Sequence, residues 1–175
     1  MFVLLLIGIV LIILLFLLSM IWPPDSPWSP WWRTSPEIAR IQCRLAKVGK
    51  KDRVYDLGSG EGTALIIAAK EFGASGVGVE IDPLRVFTSR ISVAFSRLSD
   101  RIKLVRKNFF EVNISDATVV IMYLIPKTLA RLKPKLLKEL KPGTRVVTFV
   151  YKIDLPMIAK DEKHEVYIYE IPKKK

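Results

Sequence analysis

Asp56, Gly58, Gly60, Gly62 and Glu80 are the residues of this chain whose types and spacing could do chemistry. They lie in "VYDLGSGEG" (54–62) and "VGVEID" (77–82), each opening on an apolar run that reads as a strand. Three glycines at intervals of two let backbone approach a ligand where side chains would stand in its way. A dinucleotide fingerprint spaces its glycines as G-x-G-x-x-G, and a P-loop needs Gly-Lys-Ser/Thr. Neither pattern is present, and no lysine lies between Arg53 and Lys70, so the turn is not built to grip phosphate. Asp56 and Glu61 instead suit a ligand bearing an amino group and positive charge. Glu80, 24 residues beyond Asp56, ends the second strand, where an acid accepts hydrogen bonds from both hydroxyls of a ribose. The expected ligand is a cationic nucleoside.

Such a turn works only at the end of a strand fixed in a sheet. Ser35-Pro36-Glu37 opens a helical pattern (Ile38, Ile41, Leu45, Val48) that stops at Gly49. Strands are expected at Arg53–Leu57, Gly76–Ile81, Ile102–Arg106, Thr118–Leu124, Arg145–Tyr151 and near Glu165–Ile171, with helices at Thr63–Phe72, Leu84–Leu98 and up to Leu140. Pro134 inside "RLKPKLLKEL" is expected to begin a second short helix. Strands alternating with helices, and runs such as "TVVIMYL" that are apolar on both faces, predict an α/β fold. Its mostly parallel sheet would be doubly wound, with ligands past the C-terminal strand ends.

Residues 1–22 are of another kind. From Phe2 to Leu18 nothing is charged or strongly polar, and as a helix the run reaches about 30 Å, the depth of a bilayer's hydrocarbon. It lacks the basic start and small-residue cleavage site of a secretory signal, so a transmembrane anchor is expected. All four tryptophans fall between Trp22 and Trp32 among prolines, where they would settle at headgroup level or pack on the following domain. Arg33, Arg40, Arg44 and Lys47 follow the anchor, which puts the C-terminal domain on the cytosolic side. The organisation expected is anchor 1–22, Pro/Trp-rich linker 23–34 and one folded domain 35–175.

The 175 residues carry a net charge of +11, which favours an anionic membrane surface, nucleic acid or an acidic partner. One cysteine, Cys43, excludes an internal disulfide, and with the single histidine, His164, it cannot build a zinc site. No metal is expected.

"DLGSGEG" followed by an acid at the end of the next strand resembles the class I S-adenosylmethionine-dependent methyltransferases, with their Rossmann-like fold. The resemblance covers most of the chain after the linker. It implies S-adenosylmethionine as cofactor, held by Asp56, Gly58, Ser59, Gly60, Glu61, Gly62, Glu80 and Ile81. That family contacts adenine just after the third strand, often through Asp; "RKNFFEV" offers Asn108 and Phe109 instead, and Asn can still donate and accept there. A narrower likeness rests on the apolar helix, the Pro/Trp linker, "GVEIDP", "NFF" and "YLIP". These resemble the small membrane-anchored protein lysine methyltransferases that modify ATP synthase and the adenine nucleotide translocase. A protein lysine is the acceptor this likeness implies.

Tyr123, at the mouth of the fourth strand, is the candidate for lining the acceptor channel, with structural packing as its alternative. Thr34 either closes over the cofactor or caps the first helix after the linker. Glu61 either faces the methionine amine or serves the helix N-terminus. Tyr123-Leu124-Ile125-Pro126 lacks the Asn/Asp-Pro-Pro-aromatic segment of enzymes that methylate base amines, and the basic run Lys127–Lys141 lacks interleaved aromatics for stacking. Nucleic acid is therefore not the expected partner; a membrane and a membrane protein are. Methylation of a lipid or small amphiphile, and non-catalytic binding of the cofactor, are the alternatives.

Overall fold

A computed structural model describes residues 2–21 and 32–173. The chain divides into two units, Met1–Trp32 and Arg33–Lys175. In the first, α1 (Phe2–Ile21) is an uninterrupted 20-residue helix without a charged residue. Its side chains are described over residues 3–15, nearly all exposed, a stretch that rises only about 20 Å. Among the described residues no helix is long and apolar enough to cross a membrane. Most of the expected linker, with Trp22, Trp28 and Trp31, lies outside the described residues.

The second unit runs α2 (Pro36–Leu45), β1 (Arg53–Leu57), α3 (Thr63–Phe72), β2 (Ser75–Glu80), α4 (Pro83–Phe95) and β3 (Ile102–Arg106). Then follow β4 (Val119–Met122), α5 (Pro126–Glu139), β5 (Arg145–Phe149), β6 (Met157–Asp161) and β7 (Val166–Glu170). Seven strands form one sheet in the order β3-β2-β1-β4-β5-β7-β6, parallel from β3 to β5, with β7 and β6 antiparallel. This is a Rossmann-like α/β fold with a mostly parallel sheet. The chain builds outward from β1 to β3 and then returns to place β4 on β1's other side. That reversal opens a crevice at the C-terminal ends of β1 and β4.

Alternation along β1 sends Val54 to one face, with α2, α3 and Val93 of α4, and Tyr55 and Leu57 to the other, with α5 and the segment leading to β4. Helices thus cover both faces, which is why the central strands are apolar throughout.

Two sequence expectations change. α5 is one helix with Pro134 inside it rather than two. The proline forfeits one main-chain bond, but Leu129, Leu132 and Leu136 are buried on one stripe, so burial holds both halves in line. β6 has no counterpart among the expected strands. It is an edge strand, mostly exposed, and "MIAKD" shows no alternation to mark it; pairing with β7 makes it a strand. Several ends also shift, α4 closing at Phe95 rather than Leu98.

At the N-terminal end of the strands, Asp52 gathers the fold. Its carboxylate accepts from Thr118 Oγ1 (2.7 Å) and Gly49 N (2.8 Å) and pairs with Arg145, whose guanidinium also donates to Lys47 O (2.9 Å). α2, β1, β4 and β5 are thereby joined. Arg145→Ala leaves Asp52 largely buried without its cation and should lower stability by about 2–3 kcal/mol, read from the urea midpoint. Arg145→Lys should recover only part, because an ammonium cannot reach the carboxylate and the carbonyl together.

Candidate active site

Gly58, Gly60 and Gly62 have φ of +88°, +51° and +80°, left-handed values that strain any residue with a side chain. Gly58 N and Ser59 N both donate to Val79 O, at 2.9 and 3.1 Å, which folds the turn over the end of β2. Glu80 ends that strand almost fully buried. Its Oε2 accepts from Gly60 N (2.9 Å) and its Oε1 from Ile81 N (2.9 Å) and Asp82 N (3.1 Å). Three amide dipoles therefore aim the carboxylate at the glycine turn.

Asp56 lies one strand away and is buried too. Burial, with a smaller push from the charge of Glu80, raises its carboxyl to about 7. A cation placed beside it would draw the ionised form back. Two further groups border the turn. The hydroxyls of Ser59 and Ser89 are buried with no hydrogen-bond partner among the described residues. A Cβ added at Gly62 would lie 2.6 Å from Ser89 Oγ, and one at Gly78 2.8 Å from Ser59 Oγ.

The segment after β3 joins through Lys107 N, which donates to Glu80 O (3.1 Å). Asn108 Oδ1 accepts from Phe110 N (3.1 Å), and Phe109 tilts against Phe110 with centroids 4.9 Å apart. Glu61 pairs with Arg33, the residue before the half-buried Thr34. Thr34 is not the helix cap: Ser35 takes that place, its Oγ accepting from Ile38 N (3.2 Å).

Tyr123 directly follows β4, its ring edge-on to Phe149 at 4.6 Å. Burial raises its hydroxyl pKa, with Tyr151 and Glu165 adding to it, so the group keeps its proton. Glu165 and Val150 both hold positive φ (+53° and +64°), and Val150 N donates to Glu165 O (2.8 Å). Strained backbone beside Tyr123 is a feature that composition does not reveal. Cys43 is buried, its thiol pushed up to about 12, and is no nucleophile.

Sequence reasoning missed Ser89, Arg33, Tyr151 and Glu165. For Ser89 a signal existed, since a serine replaces an apolar residue in the buried stripe Val86, Ser89, Val93. For the other three no local pattern marks the position.

Residues 56–158 match the family model described as the ANTKMT methyltransferase domain. The chain belongs to this family. A protein-lysine N-methyltransferase of Saccharolobus islandicus is 42% identical over 156 residues, covering 85% of this chain and 95% of the relative. An adenine nucleotide translocase lysine N-methyltransferase of Mus musculus is 33% identical over 57% of the chain, which spans only 44% of that protein. Among solved structures, an RNA methyltransferase from Salinibacter ruber in complex with S-adenosyl-L-homocysteine is 36% identical. It covers 82% of this chain and 95% of its own, with a TM-score of 0.77.

The residues present fit a cationic nucleoside donor. Bare glycine backbone, a buried acid facing it, a second buried acid that a cation would ionise, and two unpartnered hydroxyls converge on one turn. Gly62→Ala drives a methyl group into Ser89 and strains the backbone; donor affinity in calorimetry should fall at least about tenfold, a cost of about 1.4 kcal/mol. The Asp56 carboxyl has a folded-state pKa above its unfolded value of about 3.9, so the stability it contributes is full below about pH 4 and lost as pH rises through about 7. Asp56→Asn should therefore raise the melting temperature above pH 7, with the gain shrinking to nothing towards about pH 4.

Proposed function

We propose that this chain is an S-adenosylmethionine-dependent protein-lysine N-methyltransferase acting on membrane or membrane-associated proteins, tethered by α1 with Arg33–Lys175 on the cytosolic side. The observation that carries it is the Glu80 carboxylate held against the glycine turn. Lysine as acceptor draws on the Saccharolobus islandicus relative, which the chain matches over nearly its full length. The tether draws on the uncharged α1 and on Arg33, Arg40, Arg44 and Lys47 behind it. The chain spans under half of the Mus musculus relative, so that protein's substrate is not carried over.

In this reading Glu80 accepts the ribose hydroxyls, and Gly58, Ser59, Gly60 and Gly62 let the nucleoside rest on main chain. Asp56 and Glu61 meet the donor's ammonium, Ile81, Asn108 and Phe109 border the adenine, and Thr34 closes the rim. Glu61 can turn to this task because its pairing with Arg33 is partly exposed and weakly held. Bound donor supplies an electrophilic methyl on a sulfonium sulfur. The chain's part is to hold the attacking nitrogen in line with that carbon, which supplies much of the rate. Lysine arrives as an ammonium with a pKa of about 10.4 and must first lose a proton. Glu165 draws the cation in, the Tyr123 ring and hydroxyl orient it, and withdrawal from water lowers its pKa so that the proton leaves to solvent.

The Salinibacter ruber protein, described as an RNA methyltransferase, favours RNA as a second reading of the acceptor. The basic residues around α5 are not all available to it, since Lys133 pairs with Asp154 and Lys135 with Glu139.

Incubating the full chain with tritiated-methyl donor and detergent-solubilised membranes should put label on protein lysine. Label on RNA or lipid would refute the acceptor. Glu80→Ala should weaken donor binding about a hundredfold through loss of two charge-assisted hydrogen bonds. Tyr123→Phe should lower kcat roughly tenfold while donor affinity stays near wild type, the signature of a group that acts on the acceptor alone.

A further inference from the structure

α4 buries Arg85, Val86, Ser89 and Val93, and at 100° per residue Leu84, Phe87, Ile91 and Phe95 fall on the opposite face. All four are exposed, at 42%, 60%, 41% and 86%. The helix thus turns a row of large apolar residues to solvent, the reverse of an ordinary surface helix. Among the described residues from Arg33 onward, the other exposed large apolar residues are Tyr151, Met157 and Ile158, so four of seven share this one ridge. Exposed apolar residues are ordinary when scattered; a contiguous row rarely is.

The charges along α4 and the strand that follows it say what covers the row. From Pro83 to Lys107 the exposed charged residues are Arg90, Arg97, Arg101, Lys103, Arg106 and Lys107 against the single acid Asp100. A second copy would bring the same positive field against itself. Phe95 stands clear of the surface. Apolar side chains projecting from a basic field suit a fluid, anionic, amphipathic surface.

We propose that the outer face of α4 is a lipid-docking ridge by which the catalytic unit lies on an anionic bilayer, a contact additional to any that α1 makes. It goes beyond the function proposed above and does not depend on lysine as the acceptor. Because α4 starts at Pro83, three residues beyond Glu80, docking along it keeps the glycine turn near the surface.

The test uses the full chain with one added cysteine, Phe95→Cys on the ridge or Lys163→Cys in the β6–β7 connection at the opposite sheet edge, labelled with bimane. Cys43 is buried and its thiol raised to about 12, so it stays unlabelled. In phosphatidylcholine/phosphatidylglycerol vesicles carrying a shallow nitroxide lipid, the label at 95 should be quenched several-fold more than that at 163. Removing the phosphatidylglycerol should abolish most of the difference. If the chain floats with the vesicles but both labels are quenched alike and stay open to iodide, the ridge proposal is wrong while the tether survives. If the chain does not float with the vesicles, both fall. If the 95 label is shielded without lipid and light scattering shows a dimer, a second copy covers the ridge and the proposal is overturned.

Discussion

One buried carboxylate organises the catalytic end of this fold. Glu80 is out of water, and three backbone amides, two beside it and one across the crevice at Gly60, satisfy its oxygens. A buried charge without such partners would be costly, so the turn must stay folded over the end of β2. Val79 O completes the clasp by accepting from Gly58 and Ser59. Burial acts on Asp56 as well: withdrawal from water, with a smaller push from the charge of Glu80, raises its carboxyl to about 7. The site therefore waits with a deficit of positive charge, which is what a sulfonium and an ammonium bring.

At the other end of the strands Asp52 does a different task with the same chemistry. It gathers Arg145, Thr118 and Gly49 so that four elements share one anchor. Between the two carboxylates the sheet is packed with aliphatic side chains and covered on both faces. The crevice lies where strand order reverses, so β1, β2 and β4 can each contribute to it without crossing one another. Tyr123 enters from β4's side, beside the strained Val150–Glu165 corner. The glycine turn with its acids and the Tyr123 ring thus come from opposite sides of the switch.

Much of this was legible in the chain itself because it rests on local rules. A glycine required at positive φ cannot be anything else without strain, so Gly58, Gly60 and Gly62 mark the turn, and an acid closing an apolar strand marks Glu80. Other features carry no local mark. Ser89 comes to Gly62 through helix packing, and Glu165 comes to Tyr123 through an antiparallel strand that nothing nearby requires. Arg33 finds Glu61 across 28 residues of sequence. Thr34 shows the limit from the other side: two adjacent hydroxyl residues could each cap α2, and only the geometry chose Ser35.

By itself the amino-acid sequence determined the alternation of strands and helices as far as β5, the glycine turn with its two acids and the uncharged first segment, since each follows from periodicity, residue type and spacing along the chain; the family was what the resemblance of "DLGSGEG" and Glu80 implied. Only tertiary structure decided that Pro134 sits inside one helix, that "MIAKD" becomes an edge strand, and that α4 keeps four large apolar residues facing outward. Periodicity reveals that a helix has an apolar stripe; it does not say whether that stripe meets core or solvent. Which face is covered depends on packing partners distant in sequence, and those are chosen only when the sheet closes.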